Sequence, residues 1–355
     1  MCLGTFFFIF RLQFCFPSLT IALPFLFTNI SKKSNNTSRR YFMNYSSFCE
    51  YLLAALVNQM EPDVTISKET IRKNNNVSLD AFIIHMPQVS SAPVVYLQPL
   101  YQTYRSGSSI DKIAQTVLAK LKRELPLSLE LAEQARTLES ARDRIAYRLI
   151  SRKENEELLK EIPWTPWCDL AIIYYLHLGV KDDRQITTII HNHQAEKWNL
   201  STGELYELAK ENTPKLCPST LGRLDHLLFG WDDDEDKMVP WDTGLPTLYV
   251  LSNQTGINGA VCMLYEDVIK NFADTLDSDL IILPSSIHEV LIVPDSHTQE
   301  YEVFRDMVRN VNAEDVPEEE ILSDELYLYR RGSSGIIRWK SSCSDNIGRS
   351  GTKNL

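Results

Sequence analysis

Two strand–turn–strand patterns constrain this chain more than any other feature. Val64–Arg72 and Val77–His85 flank Asn74-Asn75-Asn76, and Leu280–Leu283 and Ile287–Val293 flank Pro284-Ser285-Ser286. β-Rich runs joined by a few turn-forming residues pair as antiparallel hairpins. Between them lies Leu170-Ala-Ile-Ile-Tyr-Tyr-Leu176, apolar at every position within a predicted strand over Asp169–Leu178. A strand without polar alternation needs cover on both faces. A second strand, Gln185–His191, is expected beside it, and shorter ones at Val94–Leu97, Arg144–Ile150, Leu248–Ser252 and Leu326–Arg330.

Helical periodicity fills the intervals. Residues 45–60 place Phe48, Tyr51, Leu52, Ala55 and Leu56 on one face, and Ile110, Ile113, Ala114, Val117, Leu118 and Leu121 follow the same spacing. Ser201 followed by Glu204 is a capping box opening a helix to about Asn212 that buries Leu205, Leu208 and Ala209. Further helices are expected over 154–162, 219–229, 265–276 and 299–311. The fold class is α+β, with mixed or largely antiparallel sheets and helices packed on them. It divides into an N-terminal subdomain over 43–126, a linking helix over 127–142, a C-terminal subdomain over 143–340 and a disordered tail over 341–355.

Charge and composition limit the function classes. Apolar residues make up 44% of the 355, enough for a packed core. A net charge of −11 argues against nucleic-acid binding, which needs a basic surface to displace counterions. Residues 1–42 carry five basic residues and no acid, so residues 43–355 carry −16. That discontinuity has two readings. Leu12–Ile30 is mostly apolar and about long enough to span a bilayer, with the basic run Ser31–Arg40 on the cytoplasmic side. Alternatively the natural start is Met43, since an arginine pair, Arg39-Arg40, stands two codons before it and purine-rich arginine codons spell a ribosome-binding site. Cys49, Cys168, Cys217, Cys262 and Cys343 are widely spaced without a CxxC pair, which fits a reducing compartment.

Several segments together resemble a known family. They are Met43-Asn-Tyr-Ser-Ser-Phe, Val94-Val-Tyr-Leu-Gln-Pro-Leu-Tyr101, Asp143-Arg-Ile-Ala-Tyr-Arg-Leu-Ile150, Leu205-Tyr-Glu-Leu-Ala-Lys-Glu-Asn-Thr-Pro214 and Ile282–Asp295. The likeness is to a bacterial family catalogued as domain of unknown function 5688, and it covers roughly 43–335. It implies a cytosolic α+β protein of bacterial origin that starts where Met43 stands, and it supplies no catalytic residue. The second half more faintly resembles another such family, number 1444, through its order of elements and a helix ending Ala209-x-x-Asn212.

The residues offer four sets of candidates. His191 and His193, if the strand runs through them, share a face and suit metal ligation, with Asp169, Glu196 or His177 as a third ligand. Ser286, His288 and Glu289 are the ingredients of nucleophilic catalysis, although no G-x-S-x-G elbow surrounds them. Asp232–Asp236 carries the charge but not the spacing of a calcium loop. Trp164, Trp167, Trp231 and Trp241 are candidates for a ligand groove. No P-loop, dinucleotide fingerprint, HExxH or zinc ribbon appears, and no cofactor is expected. The expected function is a non-catalytic cytosolic binding or adaptor protein with a protein partner and no nucleic acid. The alternatives are a metal-assisted or Ser/His hydrolase, and a membrane-tethered protein if residues 12–30 are translated and inserted.

Overall fold

A computed structural model of the chain describes residues 42–340 except 88–91, 135, 182–183, 230–246, 285 and 298–299. The anchor segment, the acidic run at 232–236, Trp231, Trp241, Cys343 and the predicted tail lie outside the described residues. Among the described residues no helix is long and apolar enough to cross a membrane. The architecture is α+β, with three antiparallel sheets and helices packed on them. Two compact units divide the described residues between Ala141 and Arg142.

In the first unit, α1 (Tyr45–Val57) is capped by Asn44, whose side chain accepts from the Ser47 amide at 2.9 Å. β1 (Thr65–Arg72) and β2 (Ser78–His85) pair antiparallel around the Asn triplet, as expected, with Asn75 and Asn76 in the left-handed region. Asparagine tolerates that conformation better than any branched residue. β3 (Val94–Tyr96) adds to β2, and α2 (Leu97–Arg105) follows directly, a helix the sequence pattern did not show. α3 runs from Ile110 to Gln134, so the first half of the predicted linking segment continues this helix; α4 (Leu138–Ala141) is one further turn. Phe48, Cys49, Leu52 and Leu56 of α1 meet Phe82, Leu97, Ile113, Ala114 and Val117 in one core. Tyr51 is 61% exposed, contrary to its assignment to the buried face. The stripe centres between residues 48 and 49, and the 3.6-residue period carries position 51 off it.

The second unit holds the other two sheets. β4 (Ile145–Ser151), β5 (Trp164–Trp167), β6 (Leu170–Lys181) and β7 (Arg184–Ile189) form a sheet centred on β6. One edge of β6 pairs with β4; the other pairs first with β5 and then with β7. The register slips between His177 and Gly179, where φ of +137° at Gly179 is accessible to glycine alone. α5 (Asn192–Lys197) and α6 (Thr202–Leu216) follow. The second sheet has the order β13 (Ile336–Arg338), β12 (Tyr327–Tyr329), β10 (Asp279–Leu283), β11 (Val290–Asp295), β9 (Tyr249–Asn253), β8 (Ser219–Arg223). Residues 219–229 are not one helix: 219–223 pair with β9 and only α7 (Leu224–Phe229) is helical. The Ser-Thr-Leu-Gly sequence is weak in helix propensity, and the neighbouring strand decides. Likewise, 154–162 is turns with a single 3₁₀ turn at Leu158–Lys160. α8 spans Val268–Leu276, and α9 (Tyr301–Glu314) lays Phe304, Met307, Val308 and Val311 on Ile281, Leu283, Leu291, Val293 and Leu328.

α6 seals the free edge of β4. Thr213 is fully buried, and its Oγ1 accepts the Tyr147 amide at 3.1 Å while donating to the Ala209 carbonyl of its own helix. Asn212 Nδ2 donates to the carbonyls of Arg142 and Ile145 at 2.9 and 3.1 Å. Side chains thus complete backbone bonds that a further strand would otherwise make. We expect Thr213→Val, which keeps shape but loses the acceptor, to cost about 1–3 kcal/mol in urea unfolding, and Thr213→Ser to restore most of it.

A second polar knot ties together the ends of three neighbouring strands, β12, β10 and β11. Arg330 donates to Asp279 at 3.0 Å, to Asp295 at 2.6 Å and to the Tyr301 hydroxyl at 3.1 Å, and Tyr301 donates to Asp295. The Asp295 side chain is wholly buried, so removing the guanidinium strands a carboxylate. Arg330→Met should lower unfolding free energy by about 2 kcal/mol, less than a fully buried pair would lose because Arg330 is partly in water.

Candidate functional site

The residues singled out for metal binding do not meet. β7 ends at Ile189, His191 is the N-cap of α5, and His193 lies in its first turn. The strand through both histidines is therefore absent, and their same-face spacing with it. Their rings lie 5.7 Å apart at an interplanar angle of 26°. Asp169 accepts from the hydroxyls of Ser323 at 2.7 Å and Tyr327 at 2.9 Å, so its carboxylate ties the two sheets of this unit together. His177 lies buried in β6 opposite Thr187; burial depresses its pKa, and its Nε2 has no hydrogen-bond partner. No group of three or more His, Cys, Asp or Glu side chains among the described residues is arranged to hold a metal.

Ser286, His288 and Glu289 are neighbours without being a catalytic triad. Ser286 Oγ accepts the backbone amide of His288 at 3.0 Å. The His288 ring looks elsewhere: Nδ1 accepts the Asn258 amide at 3.2 Å, and Nε2 stands 3.5 Å from Glu320. A nucleophile and its base must share a hydrogen bond, and here each is engaged with a different partner. Packing holds this arrangement in place. A Cβ on Gly259 would overlap Ser252 Oγ, the His288 carbonyl and the Asn253 amide.

Glu289 is 7% exposed, and burial raises its pKa to about 7, with Glu320 adding to the rise against the opposing charge of His288. The folded chain thus holds this proton to higher pH than the unfolded chain does. The linked stability is complete below the usual carboxylate range and is lost as pH rises through 7. Glu289→Gln should therefore raise unfolding free energy by about 2 kcal/mol at pH 8 and change it little at pH 4. A difference independent of pH would show that the carboxyl titrates alike in both states.

Of the candidate tryptophans, the two among the described residues are engaged in packing. Trp164 packs on the core of Ile150, Leu159, Ile162 and Ile173 with Arg152 over its ring, and Trp167 meets Tyr327 edge-on at 5.2 Å.

A concave site does exist, in a place the candidates did not cover. An open groove of about 930 Å³ runs along the exposed side of α6. One wall is Gly203, Glu204, Glu207, Leu208, Lys210, Glu211 and Pro214; the facing residues are Pro218, Ser219, Tyr265, Glu266 and Val268, with Arg142 and Leu200 completing the lining. The wall follows from the capping box, since Ser201 and Glu204 satisfy each other's backbone amides and fix the first turn. Leu205, Ala209 and Thr213 turn inward, leaving Glu204, Glu207, Leu208 and Glu211 to the groove; Leu208 is half-buried rather than in the core. Tyr265 is anchored by donation to the Cys217 carbonyl at 2.8 Å, and burial raises its pKa.

The electrostatics of the lining are acidic. Hydrogen bonds from Ser201 hold Glu204 below the usual carboxylate range, and Lys215 does the same for Glu211 at 2.7 Å. Lys210 stands 3.9 Å from Glu266. Pro214 sits inside the helix and has no amide hydrogen, so the Lys210 carbonyl lacks its i+4 donor in the part of α6 that lines the groove. The run Glu204-x-x-Glu207-Leu208-x-x-Glu211 with Pro214 was the available signal, because positions three and four apart share a face.

An α+β protein of two compact units, one bearing an acidic groove beside a capped helix, is the class that fold and site define. The chain belongs to the family of unknown function DUF5688, whose model matches residues 45–331. No curated protein and no solved structure matches it.

Proposed function

We propose that this chain is a non-catalytic cytosolic binding or adaptor protein. The observation that carries the reading is the open groove along α6. Open concave surfaces of this kind, with apolar patches between charged side chains, suit a segment of another macromolecule better than an enclosed small molecule. The net charge of −11 suits a partner with a basic surface and favours fast, salt-sensitive association. The cytosolic placement is supported by Cys49, Cys217 and Cys262, which are buried free thiols packed as small apolar groups.

The test is purification of a tagged full-length chain from its native cells, followed by recombination of the separated components. The expected result is a partner in stoichiometric amount that re-forms a complex with the purified chain on size exclusion. A partnerless chain that hydrolyses a panel of ester, phosphoester or peptide substrates, with turnover lost in His288→Ala, would overturn the reading in favour of a hydrolase.

A further inference from the structure

The chemistry of the groove selects its occupant. We propose that the groove along α6 takes a cationic segment of a partner protein, in which Arg or Lys side chains flank an apolar residue. This inference rests on the binding-protein reading and names the partner's chemistry.

Two features of the lining converge on that occupant. Leu208, Pro218 and Val268 give it apolar surface that favours an apolar side chain over water. Around them stand four carboxylates, Glu204, Glu207, Glu211 and Glu266, against two cations, Arg142 and Lys210. Lys210 is close to Glu266, and Glu211 already pairs with Lys215, whereas Glu207 is exposed on the free face of the helix. A guanidinium or ammonium supplies donors and positive charge together, so one group can pair with the carboxylates while its aliphatic stem covers the apolar surface. An acidic segment would meet like charge at four carboxylates. A neutral apolar segment would leave the carboxylates facing it without compensation.

The experiment is fluorescence anisotropy of the full chain with three short labelled peptides of one apolar pattern. Their charged positions are Arg, Gln or Glu. The expected result is binding of the Arg peptide at least about tenfold tighter than either other peptide, weakening with added salt. Glu207→Lys should cost about tenfold, while Glu156→Lys, an exposed position outside the groove with the same change in net charge, should cost far less. A thermal unfolding curve of each variant, matching that of the parent chain, shows that the fold is intact.

Equal losses for the two variants would reduce the binding to net charge and overturn the proposal. So would binding of the Gln or Glu peptide as tightly as the Arg peptide, or binding of none. In each of those cases the binding-protein reading stands or falls separately, on whether the co-purified partner re-forms its complex.

Discussion

The second unit depends on the burial of β6. Residues Leu170–Leu176 are all within 2% of complete burial, and the strand is bonded on both edges. Such a strand carries its full apolar area out of water only if neighbours arrive on every side. The consequences spread from there. β4 must pair along one edge, so its own outer edge needs closing, and the side chains of Thr213 and Asn212 close it. That requirement fixes which face of α6 turns inward. The opposite face becomes the wall of the groove, so the candidate site is a by-product of sealing a sheet edge.

Polar contacts do the positioning between the two sheets of this unit. Asp169, at the turn into β6, accepts from Ser323 and Tyr327; Gln185 donates to Thr255 at 2.7 Å. Each bond contributes little net stability, but a buried donor or acceptor left without its partner is costly, so these contacts define one arrangement. Asp169 illustrates how a carboxylate that suits metal ligation by its type serves instead as a structural acceptor. The Ser286–His288–Glu289 segment makes the same point. Its groups are adjacent in sequence, yet the turn directs the serine to a backbone amide and the imidazole to Asn258 and Glu320.

Much of the architecture was legible in advance. The first hairpin, the long apolar strand and the capping box stand where local pattern puts them, because turn chemistry, β-branched runs and cap geometry are short-range effects. The second hairpin pairs as expected, but its second strand opens at Val290 rather than Ile287, after a longer connection. The misreadings share one cause. β8 reads as the start of a helix, α2 is hidden behind a short strand, and β7 stops before the histidines because pairing and packing partners far along the chain override weak local preference. Tyr51 is a finer case, in which the period is right and the phase of the buried stripe is set by what packs against it.

By itself the sequence determined the fold class, the antiparallel pairing at the two hairpins, the start of α6 and the acidic character of the chain, all properties of neighbouring residues or of their sum. Only the tertiary structure decided which residues meet. It separated the histidine candidates from Asp169, and it brought Tyr265, Glu266 and Val268 opposite a helix more than fifty residues earlier in the chain. The physical reason is that helix periodicity fixes which side chains share a face, while the element a face confronts depends on long-range pairing, and a groove has two walls.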